Sequence, residues 1–255
     1  MKTVKVRELL IGDGIPKKCV PVVGVTREEI LQEAKEISQM PAADLVEWRA
    51  DWYEDIWDRK KTKEVLVSLR EILGELPLLF TFRTAKEGGE KAIAPDTYAA
   101  LNKEAAQIGL VDLIDVEIFT GDEQVKDILS FAHASGVKVI ASNHDFAKTP
   151  DKGEIIRRLR IMQKFGADIA KIAVMPQTRQ DVLTLLAATE EMSRLYPGCP
   201  IVTMSMSGMG MISRLCGEIF GSAITFGAAK KASAPGQIRV EQLDDILNLI
   251  HRHLK

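Results

Sequence analysis

The chain has 255 residues, with 34 Lys and Arg against 36 Asp and Glu and a formal net charge of −2. Hydrophobic residues make up 46% and charged residues 27%. That is enough apolar surface for a sizeable core, and the charge is too balanced for a protein that grips nucleic acid or an anionic membrane by bulk charge. The length suits one or two domains, and α/β barrels often reach it as one, so a single barrel domain over 1–255 is expected.

The first ten residues carry Lys2, Lys5, Arg7 and Glu8 with no apolar stretch, so they do not read as a signal peptide. The residues before Cys19 are expected to form an N-terminal hairpin ahead of the main repeat, covering the bottom of the barrel. Short runs rich in Val, Ile, Leu and Phe then read as strands near 19–25, 44–50, 77–83, 111–117, 137–143, 168–175, 200–205 and 222–227. Amphipathic runs read as helices near 27–40, 61–74, 96–108, 122–135, 151–165, 178–195, 209–219 and 240–254. Thr26, Asp122, Thr149 and Thr178 offer N-caps, Pro150 suits a first turn, and Gly74, Gly109, Gly136 and Gly166 stand where helices should stop. Eight alternating units imply a parallel sheet, closed as a (β/α)₈ TIM barrel, with a doubly wound open sheet as the alternative.

Three cysteines, Cys19, Cys199 and Cys216, are odd in number and lack CxxC spacing. That argues for a reducing compartment, the cytoplasm, rather than a disulfide framework. The longest uncharged run lies between Arg194 and Arg214, but its prolines, glycines and hydroxyls would leave backbone groups unpaired in lipid. No His or Cys cluster has metal-ligand spacing.

Alternate strand residues face opposite sides. Val46 and Trp48 share an apolar face, which sends Glu47 and Arg49 inward; likewise Thr81 and Arg83, Asp115 and Glu117, Ser142 and His144, and Lys171, Ala173 and Met175. Thr203, Ser205 and Thr225 are expected inside by the same rule. Six or more strands would then aim polar groups inward, mostly near their C-terminal ends, where barrel sites are built. A structural salt-bridge network would also place charges there, but buried ion pairs add little net stability.

Lys171 sits in the apolar run Ile169–Val174, where burial and neighbouring cations such as Arg49 or Arg83 favour the neutral, nucleophilic amine. A purely structural pairing with Glu47, Asp115 or Glu117 is the competing reading. His144, in Ser142-Asn143-His144-Asp145, is the one histidine of four aimed at the mouth and suits acid–base chemistry. Glu87, in the loop after the third barrel strand, is placed to orient that histidine, although a lone loop glutamate is more often solvated. The glycine-rich run 205–214 could cradle a phosphate, or its Arg214 could clamp a carboxylate. The segment Ala232–Gln237 could form a lid or a plain turn.

These pieces resemble the type I 3-dehydroquinate dehydratase family. The resemblance runs nearly end to end, carried by Glu47-Trp48-Arg49, the run from Pro77 to Arg83 continuing to Glu87-Gly88-Gly89, Ser142 to Phe146, Lys171 to Pro176, Ser205-Met206-Ser207 with Arg214, and Ser233 to Gln237. It implies a hydro-lyase of the shikimate pathway, in aromatic amino acid biosynthesis, that forms a Schiff base with 3-dehydroquinate. It also implies a homodimer with no cofactor and no metal. Lys171 would form the imine, His144 act as base and acid, and Glu87 orient it. Arg214 would clamp the carboxylate, Glu47, Arg49 and Arg83 hold the hydroxyl and ring region, and Ser233 and Gln237 close the lid. Pro21 stands where some members carry a serine that touches substrate, which removes one donor. The rivals are a class I Schiff-base aldolase and a non-catalytic barrel that binds a carboxylated metabolite.

Overall fold

The fold is taken from a computed structural model that describes residues 2–230 and 233–254. The lid segment therefore begins for structural purposes at Ser233, and Ala232 lies outside the described residues. The chain opens with β1 (Val4–Val6) and β2 (Leu9–Ile11), an antiparallel hairpin. There follow β3 (Lys17–Val22), α1 (Arg27–Ile37), β4 (Leu45–Arg49), α2 (Arg59–Leu73), β5 (Leu78–Thr81) and α3 (Pro95–Gln107). Next come β6 (Leu113–Glu117), α4 (Asp122–Ala134), β7 (Lys138–Asp145), α5 (Lys152–Lys164), β8 (Ile169–Val174) and α6 (Arg179–Leu195). The chain ends with β9 (Ile201–Ser205), α7 (Ile212–Leu215), α8 (Gly217–Phe220), β10 (Ile224–Phe226) and α9 (Val240–His253).

The main sheet has eight strands in the order β10-β3-β4-β5-β6-β7-β8-β9, and every named pair is parallel. A single bridge between Ile201 and Ser222, with the Ala223 N–H donating to the Ile201 carbonyl at 2.7 Å, nearly closes the ring. This is the expected barrel rather than an open sheet. The helices bury their apolar stripes against the outer strand faces, where Trp48 and Phe80 meet edge to face at 5.6 Å. The N-terminal hairpin plugs the bottom. Val6 and Ile11 join Cys19, Leu45, Leu79, Leu113, Ile140 and Ile169 in a buried apolar cluster. Sealed below, the barrel leaves its polar chemistry to the upper end. Among the described residues no helix is long and apolar enough to cross a membrane.

Thr26 and Thr178 cap their helices through full capping boxes, as expected. Asp122 is instead the first residue of α4 behind Gly121, and Asp151 rather than Thr149 caps α5, which leaves Pro150 just outside the helix. Thr149 donates its hydroxyl to the Met175 carbonyl at 3.1 Å. The single helix expected near 209–219 is two four-residue turns broken at Cys216. Close backbone packing causes the break: a Cβ on Gly210 would lie 2.1 Å from the Ser205 carbonyl oxygen, and one on Gly217 would lie 2.8 Å from that of Ser222. These residues hug the sheet where a longer helix would stand off it.

Three inward expectations are overturned. Thr203 shares a 2.8 Å hydrogen bond with Thr189 of α6, the backbone N–H of Ser205 is tied to Ser213, and Thr225 donates to the Arg214 carbonyl at 3.0 Å. All three point to the outer layer, while Val202, Met204, Ile224 and Phe226 fill the interior. Assigning the apolar face to the outside fails here because the interior itself is apolar on this side. Among the described residues the inward polar groups come from five adjacent strands, β4 to β8, and face an apolar wall from β9 and β10.

A candidate active site at the barrel mouth

A cavity of about 500 Å³ opens at the C-terminal end of the strands. Lys171, His144, Glu87, Glu47, Arg49, Arg83, Arg214, Ser233 and Gln237 all line it. The structure thus brings together every site residue expected from sequence. Ala173, expected inside, is also on the wall, and the structure adds Gly88, Phe146, Met204, Met206, Phe226 and Ala234, to which sequence reasoning gave no role. Pro21 is not on this wall; it borders a separate small cavity beside Glu33, Ile37 and Lys230. No group of three or more His, Cys, Asp or Glu among the described residues is placed to hold a metal ion.

Lys171 projects from the middle of β8 and is buried. Its Nζ lies 3.4 Å from Asp115 Oδ2 and 3.7 Å from Glu47 Oε1, and 4.4 Å above the centre of the Phe226 ring. Of the three carboxylates open as partners, Glu117 is the one that stays away. It is engaged by Arg83 at 2.9 Å and by the backbone N–H and hydroxyl of Thr84 at 2.8 and 2.7 Å. Asp115 also takes Arg83 at 2.9 Å and the Ser142 hydroxyl at 2.6 Å. Burial opposes its ionisation, but the Arg83 and Lys171 charges and the Ser142 hydrogen bond outweigh that and hold it below the usual carboxylate range. A buried amine therefore stands between two carboxylates and an aromatic face.

His144 near the end of β7 meets Glu87 from the loop after β5. Its Nδ1 lies 2.9 Å from Glu87 Oε2, and its backbone N–H donates to the same oxygen at 2.8 Å. The Asn143 side-chain amide donates to Glu87 Oε1 at 3.0 Å. Glu87 is fixed by a short 3-10 turn at Ala85–Glu87, closed by Gly88 at φ 84°. A side chain at Gly88 would collide with Phe146, whose ring would come within 2.3 Å. Burial, and then the Glu117 charge, raises the Glu87 pKa to about 8 against the opposing pull of Arg83. Burial, and then Arg83, Lys171 and Arg49, pushes His144 well below the ordinary histidine range. Near neutral pH the imidazole is thus neutral and the Glu87 carboxyl largely keeps its proton; once that proton is lost, Nδ1–H donates to the carboxylate and Nε2 is free to accept.

Arg214 is the exceptional charge. It is 1% exposed, and among the described residues its guanidinium meets only neutral groups: Met204 Sδ at 3.4 Å, the Phe226 carbonyl at 3.4 Å and the Pro235 carbonyl at 3.1 Å. Burial alone lowers its pKa to about 10. A buried cation without a counter-ion on the wall of a cavity is a receptor for an anion. Arg49, by contrast, is gripped through Nε and Nη2 by both oxygens of Asp51, each at 2.9 Å. Asp51 was missed from sequence; its one signal there is an acid two residues after an inward arginine. The segment from Ser233 to Gln237 touches both arginines, because Arg49 Nη1 also reaches the Ser233 carbonyl at 3.5 Å. Gln237 closes the turn, its Oε1 accepting the Ser233 N–H at 2.8 Å and its Nε2 donating to Ser233 Oγ at 3.0 Å.

Comparison with known proteins gives one answer. The family model described as Type I 3-dehydroquinase matches residues 18–253. A 3-dehydroquinate dehydratase of Clostridioides difficile is 56% identical over 253 residues, covering 99% of both chains. One from Salmonella agona is 54% identical over 252 residues, covering 99% of this chain and 100% of the relative. The crystal structure of the type I 3-dehydroquinate dehydratase of Clostridium difficile with covalently modified comenic acid superposes with a TM-score of 0.96, at 56% identity and 99% coverage of each chain. That of the Geobacillus kaustophilus 3-dehydroquinate dehydratase gives 0.96 at 38% identity, covering 100% of this chain and 98% of that one. The carboxyl transferase domain of a Rhizobium etli pyruvate carboxylase, 14% identical with a TM-score of 0.69, shares the fold alone.

Proposed function

This chain belongs to the type I 3-dehydroquinase family, and on that premise we propose that it removes water from 3-dehydroquinate through an imine at Lys171. The observation that carries the reading is the juxtaposition in one cavity of a buried amine, a histidine–carboxyl pair and a counter-ion-free arginine.

Lys171 Nζ in its neutral form adds to the C3 ketone, and loss of one water with uptake of one proton, given back when the iminium is finally hydrolysed, gives an iminium. Asp115 and Glu47 stabilise that cation, as they do the ammonium. The iminium draws electrons from the neighbouring C2–H bond, and His144 Nε2 takes the proton to leave an enamine. Glu87 holds Nδ1 so that Nε2 faces the substrate. The enamine pushes out the C1 hydroxyl, which leaves as water with the proton returned by His144. One histidine serving both steps removes proton and hydroxyl from the same face, a syn elimination. Water then hydrolyses the product iminium, releasing 3-dehydroshikimate and the free amine. The water lost on forming the imine is regained here, so the net reaction is loss of one water.

Arg214 takes the substrate carboxylate, which supplies the missing counter-ion. Glu47, Arg49 and Arg83 hold the ring and its hydroxyls, and Ser233 and Gln237 close over them. The chain acts as one catalytic domain in the shikimate pathway of aromatic amino acid biosynthesis. It works as a homodimer in the cytoplasm, a placement that three buried, unpaired cysteines support. The test is turnover of 3-dehydroquinate, followed by the ultraviolet absorbance of the conjugated enone product, in the native chain and in Lys171→Ala. Turnover only in the native chain is expected. Turnover in both would exclude the imine. Binding without turnover in either would favour a carboxylate-binding barrel, and cleavage of phosphorylated aldehydes an aldolase.

A further inference from the structure

Two of the three cavity arginines, Arg49 and Arg214, differ in how their charge is met. Arg214 has no carboxylate partner among the described residues, whereas Arg49 has its charge matched before any ligand arrives. The match comes from Asp51, fully buried and absent from the cavity wall. Besides the two bonds to Arg49, the Asp51 carboxylate accepts the backbone N–H of Arg83 at 3.2 Å and of Glu90 at 3.1 Å. Four donors on one carboxylate fix its position, and with it the plane of the Arg49 fork. Nη1 is left to face the cavity and the lid.

We propose that Asp51 is the positioning residue that makes Arg49 a reader of neutral oxygen on the substrate ring, and so reserves the carboxylate for Arg214. A carboxylate brought to Arg49 would meet a guanidinium already neutralised by Asp51, with the Glu47 charge close by. A hydroxyl or carbonyl oxygen accepts from the free N–H without that repulsion. The two arginines therefore fix which end of the substrate points where. This inference rests on the dehydratase reading, because it is the carboxylate-bearing, hydroxylated ring that the pair would orient.

The experiment is a double-mutant cycle on turnover of 3-dehydroquinate with Asp51→Asn, Arg49→Ala and the double variant. Asn offers one acceptor oxygen and turns an amide toward donors, so the fork loses its brace. Asp51→Asn should raise KM about tenfold, the size of one lost charge-assisted contact. In the Arg49→Ala background the same substitution should leave KM unchanged. Additive effects on KM would mean that Asp51 merely supports the fold, and would overturn the proposal. If Asp51→Asn fails to fold, Arg49→Lys takes its place: it keeps Asp51 and its backbone bonds but replaces the fork with a point charge. An equal rise in KM at unchanged melting temperature is expected there, and an unchanged KM would overturn the proposal. The charge claim has its own readout in competitive inhibition by benzoate. Arg214→Met should abolish it, and Asp51→Asn added to that variant should restore it, because Arg49 then lacks its counter-ion. No restoration would count against the proposal. Native chain without turnover would remove the dehydratase reading and this inference together, whereas native turnover with an additive cycle removes the inference alone.

Discussion

Replacing Arg214 with methionine should give a chain that is more stable without substrate and nearly unable to bind it. The Arg214 pKa falls from the ordinary arginine value to about 10 through burial alone. At 1.36 kcal/mol per pK unit, that is about 3 kcal/mol of unfavourable charge burial. Methionine keeps much of the volume and removes this penalty. It also gives up the bonds to Met204 and to the Phe226 and Pro235 carbonyls, together about 2 kcal/mol. About 1 kcal/mol of stabilisation remains, or about 2–4 °C in melting temperature for a chain of this size. The sign follows from linkage. The unfolded chain holds this proton more tightly, so the penalty is present at neutral pH and eases only as pH rises through about 10. Substrate binding moves the other way, because a buried carboxylate left without its cation costs about 2–5 kcal/mol, or about 30-fold to several thousand-fold in KM. Calorimetric melting of the unliganded variant and steady-state kinetics check both halves. A variant that melts well below the native chain, or that keeps native KM, would refute the view that Arg214 is held ready for an anion at a cost in stability.

Other outcomes follow from the same geometry. Activity should rise with pH up to about 8, as Glu87 gives up the proton that blocks Nδ1, and then level off. Glu87→Gln should lower kcat by about 10²- to 10⁴-fold and abolish that limb, since its amide favours the wrong tautomer. Glu87 is raised toward 8, so the folded chain binds a proton that the unfolded chain loses between the ordinary carboxylate range and about 8. Native stability should fall as pH rises through that window, and urea midpoints of Glu87→Gln should show the fall removed. His144→Ala should still form the imine but turn over about 10²- to 10⁴-fold more slowly; mass spectrometry showing no reducible adduct in that variant would break the division of labour. Gly236→Ala forces a side chain at φ 79° to within 2.3 Å of the Ser207 carbonyl oxygen. It should raise KM about 5- to 30-fold by unseating the lid while leaving the imine trappable, and an unchanged KM would mean that the lid carries no binding energy.

The alternation of apolar runs and helical periodicity made the barrel legible, because each strand and helix has its own hydrophobic period. The same parity argument placed Glu47, Asp115, Ser142 and Lys171 on the inner face. It failed at Thr203, Ser205 and Thr225 because it took the interior to be polar all round. Met204 and Phe226 take the inner positions there, and the Thr203 and Thr225 hydroxyls find partners on α6 and the backbone, whereas the buried Ser205 hydroxyl has none among the described residues. The long helix expected near 209–219 failed for a related reason: periodicity cannot see the close approach of Gly210 and Gly217 to the sheet. Asp51 stayed hidden because its four donors come from three separate places in the chain, a convergence that only the folded barrel creates. Arg214 was visible as a residue, but its lack of a counter-ion is a property of its surroundings.

The central claim is the covalent bond to Lys171. Intact-mass measurement after adding 3-dehydroquinate and then borohydride tests it most directly, with peptide mapping of the product. The account predicts a single irreversible adduct on Lys171 and loss of activity in proportion to its formation. Full turnover with no adduct, or an adduct on another lysine, would contradict it.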